Sequence, residues 1–83
     1  MKVRIKLYAL LAKYLPSHAQ KNEADLTVDD GQNVLAVLES LKLPEKQCHL
    51  VLVNGTYVAP SERAGHVLND GDALAVWPPV AGG

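Results

Sequence analysis

Phenylalanine is absent from this chain, and cysteine, tryptophan and methionine occur once each. With three tyrosines as the other aromatics, Leu, Val and Ala must fill most of any interior. The lone cysteine, Cys48, excludes a disulfide within the chain. No apolar run approaches the ~20 residues that a membrane helix needs. The opening Met1-Lys2-Val3-Arg4-Ile5-Lys6 alternates charge with apolar residues and lacks the apolar core of a secretory signal. Neither sign of charge dominates: eight Lys and Arg face nine Asp and Glu, for a net charge of −1 and a pI near 6.2. The basic stripe of a nucleic-acid binder is missing. These absences lead us to expect a cytoplasmic protein with neither nucleic acid nor membrane as partner.

The usual catalytic signatures are missing too. The sequence holds no GxxxxGK, GxGxxG, GxSxG or CxxC motif. His18, His49 and His66 lack metal-ligand spacing, so no metal site is expected. If the chain takes part in chemistry, a partner must supply the catalytic groups, and the chain itself is not expected to be an enzyme.

What is present is one domain's worth of globular pattern, with 83 residues, 48% of them hydrophobic and 20% charged. Lys2 to Tyr8 alternates strictly, with Val3, Ile5 and Leu7 on one side and Lys2, Arg4 and Lys6 on the other, the pattern of a half-buried strand. Residues 9–15 suit a short helical turn stopped by Pro16. A second alternation places Ala24, Leu26 and Val28 inward and ends at the Asp29-Asp30-Gly31 turn.

The clear helix runs from about Val34 to Lys42, with Asn33 as N-cap and Pro44 beyond it. Its Val34, Val37, Leu38 and Leu41 form one apolar stripe. Cys48 to Val53 reads as a strand partly covered on both faces, and Asn54-Gly55 as a type I′ hairpin turn into Thr56, Tyr57 and Val58. Residues 60–66 are irregular, Asp70-Gly71-Asp72 is a turn, and residues 73–77 form the last strand. The order strand, strand, helix, strand, short strand, strand is that of an α+β domain, a mixed sheet of four to five strands packed on one main helix.

The unusual segment follows that strand: Trp77-Pro78-Pro79-Val80-Ala81-Gly82-Gly83. Two prolines cannot donate to a sheet ladder, so pairing must cease there. We therefore divide the chain into a domain over residues 1–77 and an extended tail over 78–83, with a reach of about 18–20 Å. The side chains shrink from Val80 through Ala81 to Gly82 and Gly83, a shape suited to threading a narrow tunnel.

In these features the chain resembles the MoaD/ThiS family of ubiquitin-like, beta-grasp sulfur carriers. The ending Pro78 to Gly83, with an aromatic Trp77 before it, is most similar to the small subunit of molybdopterin synthase. Tyr8-Ala9 after the first strand and Leu68-Asn69-Asp70-Gly71-Asp72 before the last add weaker likeness. The resemblance implies that a ubiquitin-activating-type enzyme adenylates Gly83 with ATP and magnesium. A sulfur donor then converts it to a thiocarboxylate, and the tail enters the large synthase subunit to deliver sulfur to a pterin precursor. Gly82 and Gly83 would carry the chemistry, Pro78, Pro79, Val80 and Ala81 would form the threading tail, and Tyr8 and Trp77 are candidates for partner docking. For these two rings, the alternative is ordinary packing at a sheet edge.

The acceptor stays open: Val53-Asn54-Gly55 and the segment from Ala59 to Val67 also fit thiamine-pathway carriers, and tungsten-cofactor carriers share this shape. A protein modifier joined through Gly83 needs the same ending. Cys48 reads first as a small buried hydrophobe. Lys2, Arg4 and Lys6 keep a strand soluble or steer an acidic partner. Arg63 and His66 read as mobile-loop residues.

Overall fold

The computed structural model describes residues 1–79. The alternation in Lys2–Leu7 becomes β1, whose Val3, Ile5 and Leu7 are buried while Lys2 and Arg4 are exposed. It pairs antiparallel with β2 (Glu23–Thr27), Ile5 opposite Ala24 and Val3 opposite Leu26. The helix α1 (Val34–Ser40) buries Val34, Val37 and Leu38 against the sheet. Strand β3 (Leu50–Val53) turns through Asn54-Gly55 into β4 (Thr56–Tyr57). Both turn residues have positive φ, 51° and 83°, as a type I′ turn requires. The last strand, β5 (Ala73–Trp77), lies between β1, to which it runs parallel, and β3, to which it is antiparallel. Among the described residues the sheet has five strands in the order β2-β1-β5-β3-β4.

The core is the space between this sheet and α1. Leu74 and Val76 of the central strand are fully buried there, beside Ile5, Leu7, Val51 and Val37. Each such aliphatic side chain contributes about 1.5–3 kcal/mol by leaving water. The turn at Asp70-Gly71-Asp72 is tied on both sides. Lys2 N donates to Asp70 Oδ1 at 2.7 Å, and Asn54 Nδ2 donates to Asp72 Oδ1 at 2.9 Å. The start of β5 is thereby held to β1 and to the hairpin tip at once.

Several boundaries differ from the sequence reading, β2 stopping at Thr27 and β4 at Tyr57, each one residue short. Residues 9–14 form a 3-10 turn. The run from Cys48 enters its strand only at Leu50, because Glu45–Gln47 forms a further 3-10 turn that Cys48 closes. The helix stops at Ser40, before Pro44 has any influence. There Lys42 adopts φ of 62°, Lys42 N donates to Glu39 O at 2.9 Å, and Leu43 N reaches Leu38 O at 3.2 Å. That is a Schellman ending with lysine where glycine is usual. Asn33 caps the other end as expected, its Oδ1 accepting from Ala36 N at 2.8 Å.

A left-handed non-glycine residue costs about 1–2 kcal/mol, part of which the entropy of a glycine would return. Lys42→Gly should therefore stabilise the fold by about 0.5–1 kcal/mol. The check is urea unfolding, with the midpoint rising and the slope unchanged. A lower midpoint would mean that the lysine side chain contributes more than its backbone strain costs.

Candidate functional site

Successive residues of a strand point to opposite sides, so burying Val3, Ile5, Leu7, Leu74 and Val76 under α1 leaves their neighbours on the outer face. On the parallel β1/β5 pair, Leu7 stands opposite Val76, and the next residues, Tyr8 and Trp77, come level. Their rings stack with centroids 4.3 Å apart and planes 8° from parallel. Tyr8 N donates to Val76 O at 3.2 Å, and His49 N donates to Trp77 O at 3.1 Å. The last two residues of β5 are thus bonded from opposite sides, Val76 by Tyr8 and Trp77 by His49. Pro78, the first tail residue, is buried, and Pro79 is exposed.

Register extends the aromatic pair into a band. Leu50 lies opposite Trp77, Leu52 opposite Ala75, and Tyr57 opposite Leu52. Leu50, Leu52 and Ala75 are half-buried, and Tyr57 is exposed. On the β2 side the same face is charged. Arg4 Nε lies 3.2 Å from Asp25 Oδ1 and 3.8 Å from Glu23 Oε1, so its charge is met by the neighbouring strand. The expectation of packing at a sheet edge does not hold for Tyr8 and Trp77. β2 and β4 are the edges, and the two rings sit on the central strands. Local sequence pattern could not say that β1 and β5 are neighbours.

The candidate residues Val80, Ala81, Gly82 and Gly83 lie outside the described residues. Among the described residues, no three His, Cys, Asp or Glu are grouped to hold a metal ion, and no helix is long and apolar enough to cross a membrane.

Cys48 is buried, its Sγ 3.5 Å from Pro44 O. Burial pushes its thiol above the ordinary 9.0, with Arg63 pulling the other way and Glu45 adding to the rise. It is the small buried hydrophobe expected. Arg63 overturns the reading as a mobile-loop residue. It is 4% exposed, and its Nη2 donates to Cys48 O at 2.9 Å. The segment that carries it is tied down: Glu62 Oε1 accepts from Ala59 N at 3.2 Å across the Pro60–Glu62 turn, and Leu35 N and Val34 N donate to the carbonyls of Arg63 and His66. Those bonds tie the segment to the start of α1. Charge suggests exposure for arginine, so no sequence signal marked this one as buried.

A mixed five-stranded sheet curled around one helix, with this strand order, is the ubiquitin-like beta-grasp fold. Comparison with protein families matches the ThiS family over residues 6–83, and the chain belongs to that family of small ubiquitin-like carriers. Among solved structures, the HVO 2177 protein of Haloferax volcanii is similar at 29% identity and a TM-score of 0.78, over 100% of this chain and 87% of that one. SAMP1 of the same organism is 27% identical with a TM-score of 0.67, over 100% of both chains. A protein assigned as molybdopterin converting factor subunit 1 from Pyrococcus furiosus is 26% identical with a TM-score of 0.69, over 95% and 98%. No curated protein sequence matches the chain.

Because Trp77 is the only tryptophan, its stack can be read directly. Tyr8→Ala should weaken the near-ultraviolet dichroism of the indole and shift its fluorescence. The stability cost should be about 0.5–1.5 kcal/mol beyond the lost buried area. An unchanged indole spectrum would mean that the rings do not hold each other in solution.

Proposed function

We propose that this chain carries sulfur as a thiocarboxylate on Gly83 and donates it to a pterin precursor in molybdopterin biosynthesis. The observation that carries the reading is the string Pro78-Pro79-Val80-Ala81-Gly82-Gly83 placed directly after a central strand that ends in the stacked Trp77. Likeness to the Pyrococcus furiosus protein supports the molybdopterin assignment. A Helicobacter pylori complex of subunits 1 and 2 of molybdopterin-converting factor shares the fold and suggests the large synthase subunit as partner.

The chemistry needs no catalytic group from this chain. A carboxylate is a poor electrophile, so an adenylating enzyme supplies ATP and magnesium. The Gly83 carboxylate attacks the α-phosphate and pyrophosphate leaves. A persulfide sulfur from the donor then attacks the unshielded glycyl carbonyl and expels AMP, and a second thiolate attacks the donor-side sulfur of the acyl disulfide, closing a disulfide on the donor and releasing the thiocarboxylate. Pro78 to Ala81 deliver the end, and Tyr8, Trp77 and the leucines beside them dock the partners. A second reading is favoured by the likeness to SAMP1, a small archaeal modifier protein. In it, the adenylate is captured by a lysine of a target protein and an isopeptide bond forms.

The deciding measurement is intact mass after incubation with ATP, magnesium, a sulfur source and a cognate adenylating enzyme. A gain equal to exchange of one oxygen for sulfur, located at Gly83 and absent without ATP, is the expected result. Conjugates of higher mass without that gain would favour the modifier, and neither product with an active enzyme would sink both.

Docking has its own test. Trp77→Ala should weaken binding to the adenylating enzyme about 30-fold, the effect of about 2 kcal/mol at an aromatic anchor. The check is calorimetric titration, and unchanged affinity would remove Trp77 from the interface.

A further inference from the structure

The buried Arg63 is not accounted for by the carrier chemistry. Its Nη2 is bonded to Cys48 O, while Nε is buried without a partner. No ion pair to it is found among the described residues. A buried guanidinium with no carboxylate within ion-pair distance is costly, so the site gains from an anion that reaches it.

Arg63 lines a cavity of about 210 Å³ between α1 and the Glu45–Gln47 turn, open enough to admit a small molecule. Leu35, Leu38 and Leu43 supply an apolar wall, and Cys48 lies beside them. The thiol is held protonated by burial, so it adds no negative charge. Glu39 and Glu45 also line the cavity, and they limit what can enter. For a doubly charged oxyanion both the attraction to Arg63 and the repulsion from the two carboxylates double, while its desolvation cost rises more steeply, so a single carboxylate fits better.

We propose that this cavity binds a small monocarboxylate with a short apolar chain, its carboxylate paired with the Arg63 guanidinium and its chain against Leu35, Leu38 and Leu43. The site lies on the helix side of the sheet, away from the aromatic face, and does not depend on the chemistry assigned to Gly83.

The test is titration of the isotope-labelled chain by two-dimensional amide NMR with three probes: butyrate, n-butanol and inorganic phosphate. Butyrate should shift the amides of Leu35, Cys48 and Arg63 saturably, with a Kd of about 1–10 mM. Butanol, with the chain but no charge, and phosphate, with charge but no chain, should each bind at least about tenfold more weakly. Arg63→Met, which keeps the apolar stem, should abolish the butyrate shifts. Should that variant fail to fold, the double variant Glu39→Gln, Glu45→Gln decides, since removing the repulsion should tighten butyrate about threefold or more. Unsaturated or scattered shifts, equal binding of butanol, or unchanged affinity in the double variant would each overturn the proposal.

Discussion

The fold depends on one strand finding its place between two others. β5, made of five of the last described residues, pairs parallel with β1 at the other end of the chain and antiparallel with β3. Without it the sheet falls into two hairpins, β1/β2 and β3/β4, each marginal alone in water. Its Leu74 and Val76, fully buried under α1, join the two halves of the core. The turn before it carries matching constraints: Asp70 receives the Lys2 N–H, while Asp72 receives Asn54 from the hairpin tip. Such pairing between distant segments is slow to find, yet once formed it holds the end of β5 from both sides.

Much of this was legible because it is local. Alternation gave β1 and β2, the i, i+3, i+4 stripe gave α1, and Asn54-Gly55 gave a turn whose positive φ values follow from those two residue types. The parts that were not legible depend on long-range choice or on a residue acting against its type. Lys42 accepts a left-handed conformation because the Leu43 N–H reaches back to Leu38, so the helix ends where glycine would have announced it and lysine did not. Arg63 goes inside because the Cys48 carbonyl awaits it there, a partner fifteen residues away. On the sequence, Tyr8 and Trp77 are docking candidates, with packing at a sheet edge as the alternative. Their stack exists only through the β1/β5 register, which no local pattern specifies.

The outer face is divided between a charged margin and an apolar band. On the edge strand β2, Glu23 and Asp25 project beside Arg4, a charged margin that discourages unwanted strand addition. Across the sheet, Trp77, Leu50, Leu52 and Tyr57 make an apolar band. Large aromatic side chains bury much area at little entropic cost, which suits them to anchor a partner. The stack with Tyr8 sharpens this, since an indole already fixed loses less freedom when it is covered.

On the proposed reading, the same arrangement explains why a carrier without catalytic groups needs a folded domain. Free in solution, a Gly-Gly carboxylate would meet an activating site only as a dilute ligand. Docked through the band around Trp77, it is tethered by the six residues from Pro78 to Gly83, with a reach of about 18–20 Å. Delivery then becomes intramolecular, at an effective concentration set by tether length and stiffness. Two prolines stiffen the start of that tether, and the bonds from Tyr8 to Val76 and from His49 to Trp77 fix its origin. The domain contributes position, and for a reaction whose chemistry is supplied by others, position is what sets which partner the carboxylate reaches.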